Sequence, residues 1–262
     1  MTHMQIRDVS LFVKVMGQGY PLVLMHGGPS LDHTTLLTLE PLADQYTLIF
    51  YDHRCNGRSE GADVSTMTMD NLTADAEALR QALGYDQWIV FGQSFGGNVA
   101  LEYALRYPQR LSRLILMDTG GDQWWVNHNA PELLAKRGFS AEAVEAARRF
   151  YNGQVTPDEY LPTFMKFMKA YSYHFSLLEQ PGIVTLAMKF GLGPPMKLRP
   201  EALIFWLPNA QGLDGDGPAR RDPGADPGHG RALRLPVPAG TSSHPGRSNT
   251  ERPPGVNRVR RS

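Results

Sequence analysis

The segment that most constrains the fold runs from Trp88 to Tyr107. A short apolar run, Trp88 to Phe91, reaches Gly92-Gln93-Ser94-Phe95-Gly96, and a helical pattern follows from Asn98 to Tyr107. This is G-x-S-x-G between a buried strand and a helix, a setting in which a serine sits on a sharp turn above a sheet. Gly92 and Gly96 leave room for strand and helix to approach each other. The turn strains the Ser94 backbone and projects its hydroxyl, and the helix N-terminus behind it favours developing negative charge. The competing reading is a glycine-rich turn with a capping serine; two further motifs weigh against it.

The run Pro21–Met25 ends in His26-Gly27-Gly28-Pro29. Acyl transfer needs backbone N–H donors aimed at the developing oxyanion, and glycines after a strand let bare backbone approach a substrate. The N–H of Phe95 would be one donor and that of Gly28, or of Gly27, the other. His26 precedes the loop and is read as its brace. A third run, Thr47–Tyr51, ends in Asp52-His53-Arg54-Cys55-Asn56-Gly57-Arg58-Ser59. Here Asp52 and Arg54 are read as fixing the loop by ion pairing and hydrogen bonds, and Cys55 as incidental.

Together these segments resemble the α/β-hydrolase family, and within it the proline iminopeptidase-like branch. That branch carries His-Gly-Gly-Pro-Gly, Asp-Gln-Arg-Gly-x-Gly-x-Ser and Gly-x-Ser-x-Gly-Gly in this order. The counterparts here are His26-Gly27-Gly28-Pro29-Ser30, the stretch Asp52 to Ser59, and Gly92-Gln93-Ser94-Phe95-Gly96-Gly97. Ser30 and Cys55 replace glycines, so those two loops are expected to differ in shape. Phe95 stands where the peptidases often carry Trp, which bears on prolyl specificity. The resemblance covers about residues 5–206. It implies an α/β fold, a mostly parallel sheet with helices on both faces and an inserted helical cap. It further implies a serine hydrolase acting on a small-molecule or short-peptide substrate, with no metal or organic cofactor.

The strand and helix patterns agree with this. Val9, Leu11, Val13 and Val15 alternate, as in an edge strand or hairpin. Strands follow at Pro21–Met25, Thr47–Tyr51, Gln87–Phe91 and Arg113–Met117, and a helix over Met69–Leu83 stops at Gly84. Strand–helix alternation predicts a parallel sheet. Residues 1–120 read as the hydrolase core and 121–200 as the cap, with helices over Pro131–Arg137, Ala141–Tyr151 and Asp158–Leu178. Trp124 and Trp125 are candidate substrate-binding residues, while Phe164, Phe167 and Met168 are either pocket lining or the cap's own core. For a peptidase, Glu132, Glu142, Glu145, Asp158 or Glu159 would meet the substrate amine, although acids on helices are usually solvated faces.

From about residue 207 the composition breaks: nine Arg, nine Gly and no aromatic, Lys, Ile or Met. Such a stretch reads as irregular or disordered, where the family implies the rest of the core over 201–262. A reading frame slipped near Leu207 would produce it. The coding DNA tests this, because an alternative frame should encode a hydrophobic strand followed by an acid and a Gly-His. Ser94 needs a histidine to take its proton and a carboxylate to orient that histidine. Family order is serine, acid, histidine, which implies His244 as base with His229 behind it, and Asp226 as acid with Asp216 and then Asp118 behind it.

The chain has a formal net charge of zero, which argues against nucleic acid or an anionic membrane as partner. A single cysteine excludes an internal disulfide. With neither a signal-peptide pattern nor a membrane-length apolar run, a cytoplasmic location is expected. Two readings stand: a cap-bearing serine hydrolase with an acyl-enzyme on Ser94, or a hydrolase-like protein whose altered C-terminus leaves the catalytic relay incomplete.

Overall fold

The computed structural model describes residues 1–121, 123–171 and 196–209, with the side chains of residues 123–126 outside that description. Strands β1 (Thr2–Ile6) and β2 (Val9–Met16) form an antiparallel hairpin in which Ile6 faces Val9. β2 runs antiparallel to β4 (Tyr46–Tyr51). From there β3 (Tyr20–Met25), β5 (Trp88–Gln93) and β6 (Leu111–Met117) are parallel, giving the order β1-β2-β4-β3-β5-β6. The inner strands are apolar and buried over Pro21–Met25, Leu48–Tyr51 and Trp88–Phe91, because both their faces are covered there. Val23 and Met25 of β3 pack with Leu72, Leu79, Val99 and Tyr103 of α1 (Met69–Ala82) and α2 (Phe95–Arg106). Leu22 and Leu24 face the other way, with Phe50 and Phe91, onto Leu36 of a 3-10 helical stretch, His33–Asp44.

β6 is different. It pairs with β5 on one side, and Ile115, Leu116 and Met117 are 43%, 41% and 36% exposed. The first and last β-strand of the described sheet are its edges, and only the β6 edge exposes a run of large apolar side chains.

Beyond β6 the chain is helical: α3 (Gln123–Lys136), α4 (Ala141–Tyr151), α5 (Pro157–Met165) and a short 3-10 turn, Met168–Tyr171. The third cap helix is shorter than the expected Asp158–Leu178. A capping box of Thr156 and Glu159 starts it, and it ends at Met165; the part of the expectation past Tyr171 lies outside the described residues. Phe150, Phe167, Leu134 and Ala147 make the cap's own apolar cluster, against which Phe164 packs.

Residues 200–209 open the stretch expected to be the rest of the core, and there the chain is regular. They form α6 (Pro200–Asn209), built on the run Ala202 to Leu207. Ala202 and Trp206, four residues apart on one stripe, enter the main core, and Leu203 and Leu207 enter the cap cluster. α6 is thus a wedge between the two, and the Asn127 amide of α3 ties to it by donating to Leu207 O at 3.0 Å. Residues 210–262 lie outside the description.

Candidate active site

Ser94 sits between β5 and α2 with φ 51° and ψ −119°, a left-handed backbone that is unusual for a residue with a Cβ. The strain is held by hydrogen bonds. Ser94 N–H donates to Met117 O at 2.9 Å, and its carbonyl accepts from the Gly97 and Asn98 amides at 2.9 and 3.2 Å and from Thr119 Oγ1 at 2.7 Å. The flanking glycines are sterically required. A Cβ on Gly92 would lie 2.5 Å from Gly96 O, and one on Gly96 would collide with Met25 O and His26 O.

The loop after β3 meets Ser94 from one side. A Cβ placed on Gly27 would stand 3.4 Å from Ser94 Cβ, and Gly28 has φ 123°. This close approach of backbone is what an oxyanion-binding loop requires. His26 is fully buried and braces the loop. Its Nε2 accepts from the His53 amide at 3.2 Å, so its proton lies on Nδ1, which donates to Gly27 O at 2.6 Å. Burial pushes the His26 imidazole below its ordinary range, against the opposing pull of Asp52. Burial pushes His53 still further down, and His26 adds to that.

Asp52 organises the second loop. It accepts from His33 N at 2.8 Å, His33 Nδ1 at 2.7 Å and Arg58 N at 2.8 Å. Burial raises its carboxyl, but the His33 hydrogen bond, the nearby imidazole charges and the Arg58 amide outweigh this and hold it below the usual range. Arg54 is fully buried, with Nε and Nη2 on the two oxygens of Asp75 at 2.6 and 2.8 Å, and Nη2 on Asp8 at 2.9 Å. Both residues act as structural anchors. Ser30 and Cys55, the two residues that replace glycines, have φ values of 103° and 61°, a region natural to glycine.

Ser94, Gly28 and Phe95 line one cavity of about 320 Å³. Its opposite wall is Phe150, Tyr151 and Tyr171 of the cap, and α6 closes it with Trp206. The Tyr151 and Tyr171 hydroxyls are paired at 2.5 Å. Trp206 stacks edge-on to Phe95, ring centroids 5.0 Å apart, and its indole N–H is buried without a partner among the described residues. Asp118, Thr119 and Gly120 reach the cavity from the end of β6. This segment is stitched to the elbow: Met117 and Thr119 bond the Ser94 backbone, and Asn98 Nδ2 donates to Gly120 O at 2.6 Å. Asp118 itself is exposed, with φ 49°.

A family model for the alpha/beta hydrolase fold matches residues 20–209. The chain belongs to the α/β-hydrolase family. It is 34% identical over 119 residues to a proline iminopeptidase of Thermoplasma volcanium, covering 44% of this chain and 40% of that protein. It is 38% identical over 99 residues to one of Xylella fastidiosa, covering 37% and 32%. The matched stretch thus spans about a third to two fifths of these relatives. Among solved structures, proline iminopeptidase of Mycobacterium smegmatis aligns with a TM-score of 0.55 at 24% identity, over 77% of this chain and 68% of that one, a likeness of fold.

Within this α/β-hydrolase, Ser94, Gly28 and Phe95 come together at the cavity. Trp124 and Trp125 lie on α3, but their side chains fall outside the described residues, as do His244, Asp226, His229 and Asp216 altogether. Among the described residues no imidazole lines the cavity: His26, His33 and His53 belong to the buried loops. The acids expected to meet a substrate amine do not line it either. Glu132, Glu142, Glu145 and Glu159 pair with Lys136, Lys166, Arg148 and Arg149 at 2.8–3.2 Å, and Asp158 is exposed in the first turn of α5. Glu132 and Glu145 pair within their own helices, and Glu142 and Glu159 pair across neighbouring cap elements.

Tyr151, Tyr171 and Trp206 were not foreseen as cavity residues. They sit at element ends or beyond the expected cap boundary, where periodicity carries no signal. The described residues contain no group of three or more His, Cys, Asp or Glu that could hold a metal ion. None of their helices is long and apolar enough to cross a membrane.

Proposed function

We propose that this α/β-hydrolase is a serine hydrolase that cleaves a small ester or amide through an acyl-enzyme on Ser94. The observation that carries this is the strained Ser94 at the floor of a cavity whose rim includes Gly28 and Phe95. Ser94 Oγ attacks the substrate carbonyl, and the Gly28 and Phe95 amides take the oxyanion. A histidine accepts the serine proton and passes it to the leaving amine or alcohol. It then activates the water that releases the acyl group. His244 is assigned as this base and Asp226 as its acid. Asp118 is the alternative acid, supported by its place on the Ser94 cavity.

An N-terminal prolyl peptide fits this reading through the named relatives. In that case the substrate ammonium meets Asp118 rather than the cap glutamates, since Asp118 is the one acid of the described cavity wall.

A second reading, a hydrolase-like protein with an incomplete relay, is favoured by the break in composition from about residue 207 and by the exposed apolar run of β6. Covalent labelling by a fluorophosphonate probe, with Ser94→Ala as control, separates the two. Labelling lost in the variant supports the enzyme. A folded wild-type chain that takes no label supports the second reading.

A further inference from the structure

Ser30 stands where the proline iminopeptidase-like pattern has glycine, and its three polar groups are bonded to three different parts of the molecule. Its amide donates to Asn56 Oδ1 at 2.6 Å, in the loop after β4. Its carbonyl accepts from Arg199 N at 2.8 Å, in the segment leading into α6. Its hydroxyl pairs with the Tyr160 hydroxyl at 2.7 Å, on cap helix α5. The residue is fully buried, with φ 103°, a conformation costly for any residue that carries a Cβ. Glycine would remove that cost. What serine adds is one hydroxyl, and that hydroxyl reaches the cap. Burial keeps the Tyr160 phenol above its ordinary range, with the Ser30 bond pulling the other way, so the pair is neutral and hydrogen-bonded at physiological pH.

The contact continues in both directions. Toward Ser94, Gly28 lies two residues before Ser30 in the same loop, where a Cβ on it would stand 3.0 Å from Ser30 N and 3.1 Å from Leu31 N. Toward the cap, the Tyr160 ring packs on Phe150, centroids 5.5 Å apart, and Phe150 lines the cavity. A substrate that presses on Phe150 therefore presses on a chain of contacts ending at the oxyanion amide.

We propose that Ser30 is a positioning residue whose hydroxyl bond to Tyr160 latches the cap to the oxyanion loop, so that an acyl group filling the cap side of the cavity orders the Gly28 amide. The latch rests on the reading of Gly28 as an oxyanion donor. It makes the enzyme selective, through kcat, for acyl groups bulky enough to reach Phe150.

The test uses the full chain and Tyr160→Phe, Ser30→Ala, Ser30→Gly and the Ser30→Ala/Tyr160→Phe double variant. Hydrolysis of p-nitrophenyl acetate is compared with that of the p-nitrophenyl ester of 4-phenylbutyrate. Each single variant should lower kcat for the bulky ester about tenfold, with KM and the acetate rate within about twofold, and the double variant should match the singles. Ser30→Gly should lose the same kcat yet melt higher than Ser30→Ala, because it sheds the strain along with the hydroxyl. Additive losses, or equal losses on both esters, overturn the latch. Hydrogen exchange of residues 27–31 gives a readout independent of chemistry. It should accelerate in Tyr160→Phe, and a change confined to α5 overturns the proposal even if wild-type Ser94 proves unreactive, a result that would count against the hydrolase reading separately.

Discussion

On its β3 side Ser94 faces a loop made of buried groups bonded to one another: His26 to Gly27 and His53, Ser30 to Asn56 and Tyr160, Asp52 to His33 and Arg58. On its β6 side it faces a strand end with Ile115 and Leu116 more than 40% exposed and an exposed carboxylate, Asp118. The first wall is preorganised, because its loops leave strands that are covered on both faces and its carboxylates and backbone groups are bonded internally, although the ring nitrogens of His53 are buried without a partner among the described residues. The second is tied to the elbow by three bonds, between the Ser94 backbone and the Met117 carbonyl and Thr119 hydroxyl and from the Asn98 side chain to Gly120 O. The side proposed to bind the oxyanion and the side that carries Asp118 are thus built to different depths around Ser94.

Substitutions on the two sides should differ most where a buried charge loses its partner. Asp75→Ala leaves the Arg54 guanidinium buried beside a single exposed acid, Asp8, and should cost about 3–5 kcal/mol in urea unfolding. A cost under about 1 kcal/mol would mean that the inner loops are not charge-anchored. Next comes a pair of glycines. Gly96→Ala drives a Cβ into the carbonyls of Met25 and His26 and should cost about 1–3 kcal/mol or more, while Gly120→Ala, with open space around it, should be near neutral. Equal effects would erase the contrast between the walls.

Acid sharpens the same comparison. His26 and His53 are held below the ordinary imidazole range by burial. The unfolded chain binds protons as pH falls through about 6.5 and the folded chain does not, so stability is full above that value and is lost below it. Each histidine contributes a slope of at most about 1.4 kcal/mol per pH unit. Unfolding measured between pH 7 and 5 should show this loss, and His53→Gln should flatten it. A slope unchanged in the variant would place the titration elsewhere. The Asp52 contribution is lost only at lower pH, below the ordinary aspartate value of 3.8, because its carboxyl is held down.

The smallest effect belongs to β6. Ile115→Thr keeps a β-branched residue on an exposed strand and should change stability by less than about 0.5 kcal/mol. A loss of about 2 kcal/mol would show that this edge is covered in solution.

The elbow was legible because its signal is local: two glycines spaced around a serine, after an apolar run and before a helix. The inner strands were legible for the same reason, with ends within a residue or two of those observed. The cap was harder. The pattern over Ala141–Tyr151 matched α4, but α5 ended early at Met165, and the apolar stripe of α6 was hidden beside the change in composition. The cap glutamates looked like candidates for amine binding because sequence does not show which way a helix face turns; the fold turned them to neighbouring lysines and arginines.

By itself the sequence determined the α/β pattern, the strained serine and the glycines that let backbone close on it, since these depend on dihedral preferences and periodicities within a few residues. Only the tertiary structure decided that Ser30 would meet Tyr160, 130 residues away, that α6 would wedge between two apolar clusters, and that Asp118 would stand on the Ser94 cavity. Those contacts join segments with no pattern in common. What brings them together is the burial of apolar faces elsewhere in the chain, which sets where each polar group ends up.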